Sequence, residues 1–226
     1  MKSRTLFFSL LLIFSAQLGF SQIQEGAILL GGQFTFNVSE TDYGSNSFRD
    51  PSERTIFIIQ PQLGFALSEK LIVGTSLGYR NEKETRTDFF SGGPSSIEAT
   101  ENLFAVAPFV RNYFEISEKF YFYLQGDASI GFGKATLEDE NGNEFQPEAD
   151  LTAFSIGVRP GVSFFVSDKV ALEAEFGFLG YSQEKSKQEF DFGGGNSEIA
   201  KTTDSNYGLS LNSTTFNFGF SLYLGR

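Results

Sequence analysis

The chain has 226 residues, with 17 Lys and Arg against 28 Asp and Glu, and a formal net charge of −11 does not suit tracking a nucleic-acid backbone. It contains no Cys and no His, which excludes disulfides, lipoprotein acylation, Ser-His and Cys-His catalysis, and metal sites built on imidazole or thiolate. Its 28 Phe need an apolar environment, and a mean hydropathy of −0.14 does not exclude a membrane, because alternating strands average to near neutrality.

Residues 1–21 read as a secretory signal peptide. Lys2 and Arg4 form a positive n-region, Leu6 to Phe14 an apolar core, and Gly19-Phe20-Ser21 a small-x-small cleavage site. The apolar core is shorter than the roughly 20 residues a spanning helix needs. Cleavage leaves residues 22–226 as one β domain, and no later stretch is apolar enough to predict a transmembrane helix.

Period-two alternation predicts eight strands over residues 26–38, 54–67, 71–82, 102–116, 120–135, 152–166, 170–183 and 206–224. In the first, Ile28, Leu30, Phe34 and Phe36 oppose Gly31, Gln33, Thr35 and Asn37. In the sixth, Phe154, Ile156, Val158, Val162 and Phe164 oppose Ser155, Gly157, Arg159, Gly161 and Ser163. The seventh sets Leu172, Ala174, Phe176 and Phe178 against Ala171, Glu173, Glu175 and Gly177. The last sets Phe216, Phe218, Phe220, Leu222 and Leu224 against Asn217, Gly219, Ser221 and Tyr223.

Two strands resist. The fourth has nine residues from Pro108 to Ser117 where its equivalents have seven, which predicts a bulge near Arg111-Asn112. In the last, Leu209 and Leu211 have the opposite parity to Phe216, predicting a second bulge near Asn212-Ser213.

Three short turns punctuate the series: Ser68-Glu69-Lys70, Ser117-Glu118-Lys119 and Ser167-Asp168-Lys169, recurring after 49 and then 50 residues. Short turns alternating with long polar loops predict an all-β, eight-stranded antiparallel up-and-down transmembrane β-barrel. Its three short turns are periplasmic and its four longer loops extracellular. The uniformly large apolar face points into lipid. The other face mixes small residues with charges, as the narrow interior of eight strands demands. Slipping the sixth strand by one residue would move Arg159 into hydrocarbon, at about 2–4 kcal/mol near the midplane. Aromatics cluster near the short turns (Phe65, Tyr113, Phe114, Phe120, Tyr121, Phe122, Tyr123, Phe164, Phe165 and Tyr223); some of these point inward by alternation and the rest predict one interfacial girdle, with Tyr79, Phe132, Tyr181 and Tyr207 as candidates for the other.

The chemistry lies on the inward face. Arg111, Asp127, Arg159 and Glu175 fall at similar heights above the short turns, with Gln62 and Gln125 beside them, Glu173 slightly lower and Arg80 slightly higher. This set is either an ion-pair network that neutralises the interior or a charged constriction for ions. No catalytic, cofactor or metal site is expected. Asp139, Asn141 and Asn143 alternate in the third loop but lack the order and terminal Glu of a calcium loop, so that loop reads as solvated acid. Gly193-Gly194-Gly195 lacks the Lys and helix of a phosphate cradle.

The signal peptide, the alternating strands, the Ser-Glu/Asp-Lys turns and the closing Phe216-x-Phe218-x-Phe220-x-Leu222-Tyr223-Leu224 segment resemble the small outer-membrane β-barrel proteins of Gram-negative bacteria, including the OmpA/OmpX-like and porin-family barrel domains. The resemblance covers the whole mature chain. It implies residence in the outer membrane and contact with its lipid and with the barrel assembly machinery. It also implies a non-enzymatic structural or surface-interaction role, through loops that bind an extracellular ligand. The alternatives are a narrow channel for ions or small hydrophobic molecules, and a lipid-modifying enzyme or assembly factor. Such proteins often end on a Phe read by that machinery. This chain ends Leu224-Gly225-Arg226, which shifts that expectation to Tyr223 or Phe220. No appended peptidoglycan-binding module is expected.

Overall fold

The computed structural model describes residues 23–41, 52–90, 93–139, 141–144, 146–191, 197–211 and 215–225. These residues form ten antiparallel strands: β1 (Ile28–Thr41), β2 (Ser52–Ser68), β3 (Leu71–Phe90), β4 (Gly93–Ser117), β5 (Phe120–Asp139), β6 (Ala149–Phe165), β7 (Val170–Phe176), β8 (Phe178–Asp191), β9 (Ser197–Ser210) and β10 (Phe216–Leu224). Each pairs with its sequence neighbours in up-and-down order, except where the last two predicted strands are each split in two. Eight strands, β1 to β7 and β10, close a barrel-like ring through the β1–β10, β10–β7 and β5–β6 pairings.

The repeated turn has a physical basis. The Ser68 hydroxyl accepts the Lys70 amide at 3.3 Å, and Ser167 accepts the amides of Lys169 and Val170 at 3.4 and 3.2 Å. The Lys carbonyl of each turn then accepts an amide from the next hairpin: Tyr113 to Lys70, Phe165 to Lys119 and Tyr223 to Lys169, each at 2.8 Å. Those three amides belong to inward aromatics, all but fully buried. With Tyr121, Tyr123, Leu29, Ile72, Phe109 and Ile23 they close one end of the ring. As alternation implies, Tyr113, Tyr121, Tyr123, Phe165 and Tyr223 fill the interior, while Phe65, Phe114 and Phe164 lie on the outer face.

The register follows the predicted faces. Phe34, Phe36, Ile59, Leu63, Phe104, Ile130, Phe132, Ile156, Phe218 and Phe220 are exposed on the outside, whereas Gln33, Gln62, Arg111, Asp127, Glu173 and Glu175 are buried inside. Small inner residues make room. A Cβ on Gly161 would lie 2.5 Å from the Tyr123 hydroxyl.

Three sequence expectations are corrected. No bulge occurs at Arg111-Asn112: the ladder runs unbroken, with Arg111 opposite Ile72 and Gln125, and the register shifts only at the turn, between Glu115 and Ser117. Strict alternation survives because Phe109 uses the space left by Gly74, where a Cβ would lie 2.6 Å from the Phe109 ring. Phe178 does not share the outer face with Phe176. Gly177 adopts φ +79°, the parity flips there, and Phe178 turns inward beneath the Arg159 guanidinium, 4.6 Å from its ring centroid. Third, β3 and β4 continue through the predicted loop, pairing as far as Phe90 opposite Gly93. The ladder is carried there by main-chain bonds and cross-strand pairs such as Lys83–Glu98 (2.6 Å) rather than by apolar alternation. The second predicted bulge falls on residues 212–214, outside the described residues; β9 ends at Ser210 and β10 begins at Phe216.

Candidate functional site

The inward charges assemble as three tiers. In the lowest, β4 supplies Arg111, which is completely buried. Its Nη1 donates to both carboxylate oxygens of Glu173 on β7 and to the Tyr113 hydroxyl, all at 2.9 Å. Its Nε donates to Gln125 Oε1 at 2.9 Å and its Nη2 to Gln62 Oε1 at 2.8 Å. The Tyr123 ring lies against the guanidinium, 4.3 Å from centroid to carbon, and the Tyr113 and Tyr223 hydroxyls meet at 2.8 Å. One guanidinium thus ties β2, β4, β5 and β7 across the ring interior.

In the second tier, Arg159 Nε donates to Asp127 Oδ2 at 2.8 Å and lies 3.7 Å from Glu175 Oε1, while Gln33 Nε2 donates to Glu175 Oε2 at 2.9 Å. In the third, Arg80 reaches Glu101 at 3.3 Å and Glu184 at 2.6 Å, and all three are partly exposed. The sequence placed Arg111, Asp127, Arg159 and Glu175 at one height. The structure pairs Arg111 with Glu173 instead, because ring closure staggers the tilted strands. Gln33, Tyr113, Tyr123, Tyr223, Glu101 and Glu184 complete the tiers. Gln33 and Tyr223 were legible as inward by alternation, whereas the partners Arg80 finds on β4 and β8 were not.

The Arg111 tier and the aromatic layer fill one end of the ring with buried side chains. Above Arg159 the interior opens as a cup, a cavity of about 630 Å³ lined by Arg54, Ile56, Arg80, Arg159, Phe178 and Leu209 among others. A smaller space of about 200 Å³ reaches Asp127 and Ser129. No cluster among the described residues fits a metal ion.

In the acidic third loop, exposed Asp139 organises a local turn. Its Oδ1 accepts the amides of Asn141 and Asn143, both at 2.8 Å, and its Oδ2 accepts Asn143 Nδ2 at 3.0 Å. The backbone amide of Asn143, then its side chain, hold this exposed carboxyl below its usual 3.8. A depressed folded pKa means the turn is supported above pH 3.8 and released as pH falls through the lowered value. The amide chemical shifts of Asn141 and Asn143 should titrate with a midpoint below the ordinary Asp value of about 3.9; for Asp139→Asn that acid-dependent step should vanish.

A family profile described as "Outer membrane protein beta-barrel domain" matches residues 6–223. No curated protein matches the chain. Among solved structures, the outer membrane protein OprG from Pseudomonas aeruginosa is 11% identical, covering 91% of this chain and 99% of its own, with a TM-score of 0.48. Neisserial surface protein A is 14% identical, covering 88% of this chain and 97% of its own, with a TM-score of 0.38. The profile match spans nearly every residue, including all ten strands but for the end of β10, and the chain therefore belongs to the outer membrane protein β-barrel domain family.

Proposed function

We propose that the mature chain, residues 22–226 after loss of a signal peptide at 1–21, is a non-enzymatic eight-stranded transmembrane barrel with a structural and surface-interaction role. The three short turns face the periplasm, and the long hairpins β3–β4 and β8–β9 carry the extracellular contacts. Lipid of the outer membrane solvates the Phe-rich outer face, and the barrel assembly machinery inserts the chain. One observation carries this reading: the Arg111–Glu173 tier and its tyrosines are buried with every guanidinium nitrogen engaged. A cup closed at one end does not conduct, and its exposed rims are left to do the work. The charged tiers serve as an interior ion-pair network, satisfying groups that the narrow interior would otherwise strand.

The test is electrical. Wild-type protein in a planar bilayer, and the Arg159→Ala and Glu175→Ala variants, should give no stepwise current at any ionic strength. Discrete openings in the wild type, altered by either substitution, would replace this reading with a charged constriction.

A further inference from the structure

Ladder parity fixes what the outer face carries above its apolar band. On β5 the outward side chains from Phe122 to Phe132 rise by about 25 Å at a strand tilt of about 40°, the height of the apolar band of such barrels. Lys134 is the next outward residue. Pairing carries its row across the sheet: Lys134 stands opposite Asp150 on β6, Asp150 opposite Lys187 on β8, and Lys187 opposite Lys201 on β9. Lys185 lies on the same face one step lower, between Thr152 and Thr203. Below them the outward aromatics are Phe132, Phe154, Tyr181 and Tyr207, with the Phe154 and Tyr181 rings 6.4 Å apart.

All four lysines are exposed. Lys134 bonds Glu148, whereas Lys185, Lys187 and Lys201 form no ion pair among the described residues. The carboxylates sharing their face are Asp150, opposite Lys187, and Glu189, the next outward residue on β8. Like charges directly opposite one another destabilise a ladder, so Lys187 and Lys201 are better held with an anion between them. The rim on the far side of the barrel has the other sign. Glu40 faces Glu53, Glu98 faces Glu138, and Lys83 is bound to Glu98 at 2.6 Å. With 28 acids against 17 bases in the whole chain, the lysines of β8 and β9 are a local reversal of charge.

We propose that the outer face of β8 and β9 binds the headgroup of an outer-leaflet lipid bearing more than one phosphate. The ammonium groups of Lys185, Lys187 and Lys201 hold the phosphates, and the acyl chains lie on the aromatics below. Lysine suits this role, because a point charge on a flexible stem meets a phosphate without a fixed geometry. Lys185 and Lys187 are about 7 Å apart along the strand, a spread that suits two phosphates better than one. The attraction is strongest beside a charged membrane surface, where each basic residue adds to the binding. This inference rests on the lipid-facing assignment above.

The probe is a phosphatidylcholine nanodisc doped with bis-phosphorylated lipid A or with its dephosphorylated form. Native mass spectrometry of the released protein counts the lipid it retains. Wild type should retain the phosphorylated form at least about tenfold better. Lys185→Gln, Lys187→Gln and Lys201→Gln combined should abolish that preference, and the same three changed to Arg should keep it. A control removes equal charge at the exposed short turns: Lys70→Gln, Lys119→Gln and Lys169→Gln combined should leave the preference intact. Excess inorganic phosphate should not displace the lipid; displacement would mean a site for free anions and overturn the lipid. If wild type shows no preference, or the short-turn variant loses as much as the β8–β9 variant, the headgroup site is wrong and the membrane assignment stands. If wild type stays in water and does not enter the nanodiscs, both fall.

Discussion

Glu173→Gln should destabilise the folded protein by about 3–5 kcal/mol, the cost of leaving a buried charge without its partner. Arg111 is fully buried, and Glu173 is the carboxylate its guanidinium reaches; both oxygens are engaged at 2.9 Å. The neighbouring substitution Glu175→Gln should cost about 1 kcal/mol or less. The two lower tiers hold Arg111 and Arg159 against Asp127, Glu173 and Glu175, so neutralising Glu175 leaves two cations facing two carboxylates. The amide introduced by Glu175→Gln would keep an oxygen to accept from Gln33, and Arg159 would keep Asp127 at 2.8 Å. Urea titration in lipid vesicles, read by heat-modifiable gel migration, measures both. Replacing both partners with apolar residues, as in Arg111→Met with Glu173→Leu, should remove the cost of the unpaired charge but recover only part of the loss, because Gln62, Gln125 and Tyr113 then lose the guanidinium they bond. Equal losses from Glu173→Gln and Glu175→Gln would mean that the tiers act as one diffuse network and not as a pair and a triad.

The second large effect concerns the outer face. Phe218 is half-exposed on β10, opposite Phe34 and Ala174, close to the middle of the apolar band. Phe218→Arg should cost about 2–4 kcal/mol from the charge alone, because a cation at the midplane loses its water. Thr136→Arg lies on the same outer face but near the far end of β5, opposite Thr100, and should cost about 0–1 kcal/mol. The contrast between the two positions is diagnostic. Hydrocarbon imposes a depth dependence, whereas an apolar face solvated by water imposes none. A small, equal effect at both sites would remove lipid from the outer face.

How far the sequence carried can be judged residue by residue. The alternation of β6 assigned Arg159 and Phe154 to opposite faces, and the structure turns the first inward to Asp127 and exposes the second. Alternation also placed Phe109 inside and Asn112 outside. The expected bulge there failed because the unusual inward Phe had Gly74 opposite it, a cross-strand fact invisible within one strand. Phe178 was misassigned for a related reason: a glycine reads the same whether its φ is negative or positive, and only the folded backbone reveals the flip at Gly177. Polar hairpin arms such as residues 83–101 carry no apolar period, so their pairing was not legible either.

Period, parity and punctuation are properties of the covalent chain, and by themselves they located the short turns and the faces of the ring strands, though not the breaks that split the last two predicted strands or the face change after Gly177. Partnership was decided in three dimensions. Which carboxylate neutralises Arg111, which aromatics close the ring, and whether β9 meets β1 all depend on the stagger of tilted strands and on a few backbone angles. A period of two constrains a side chain to a face. It does not say which residue, arriving from a strand far away in sequence, will stand beside it.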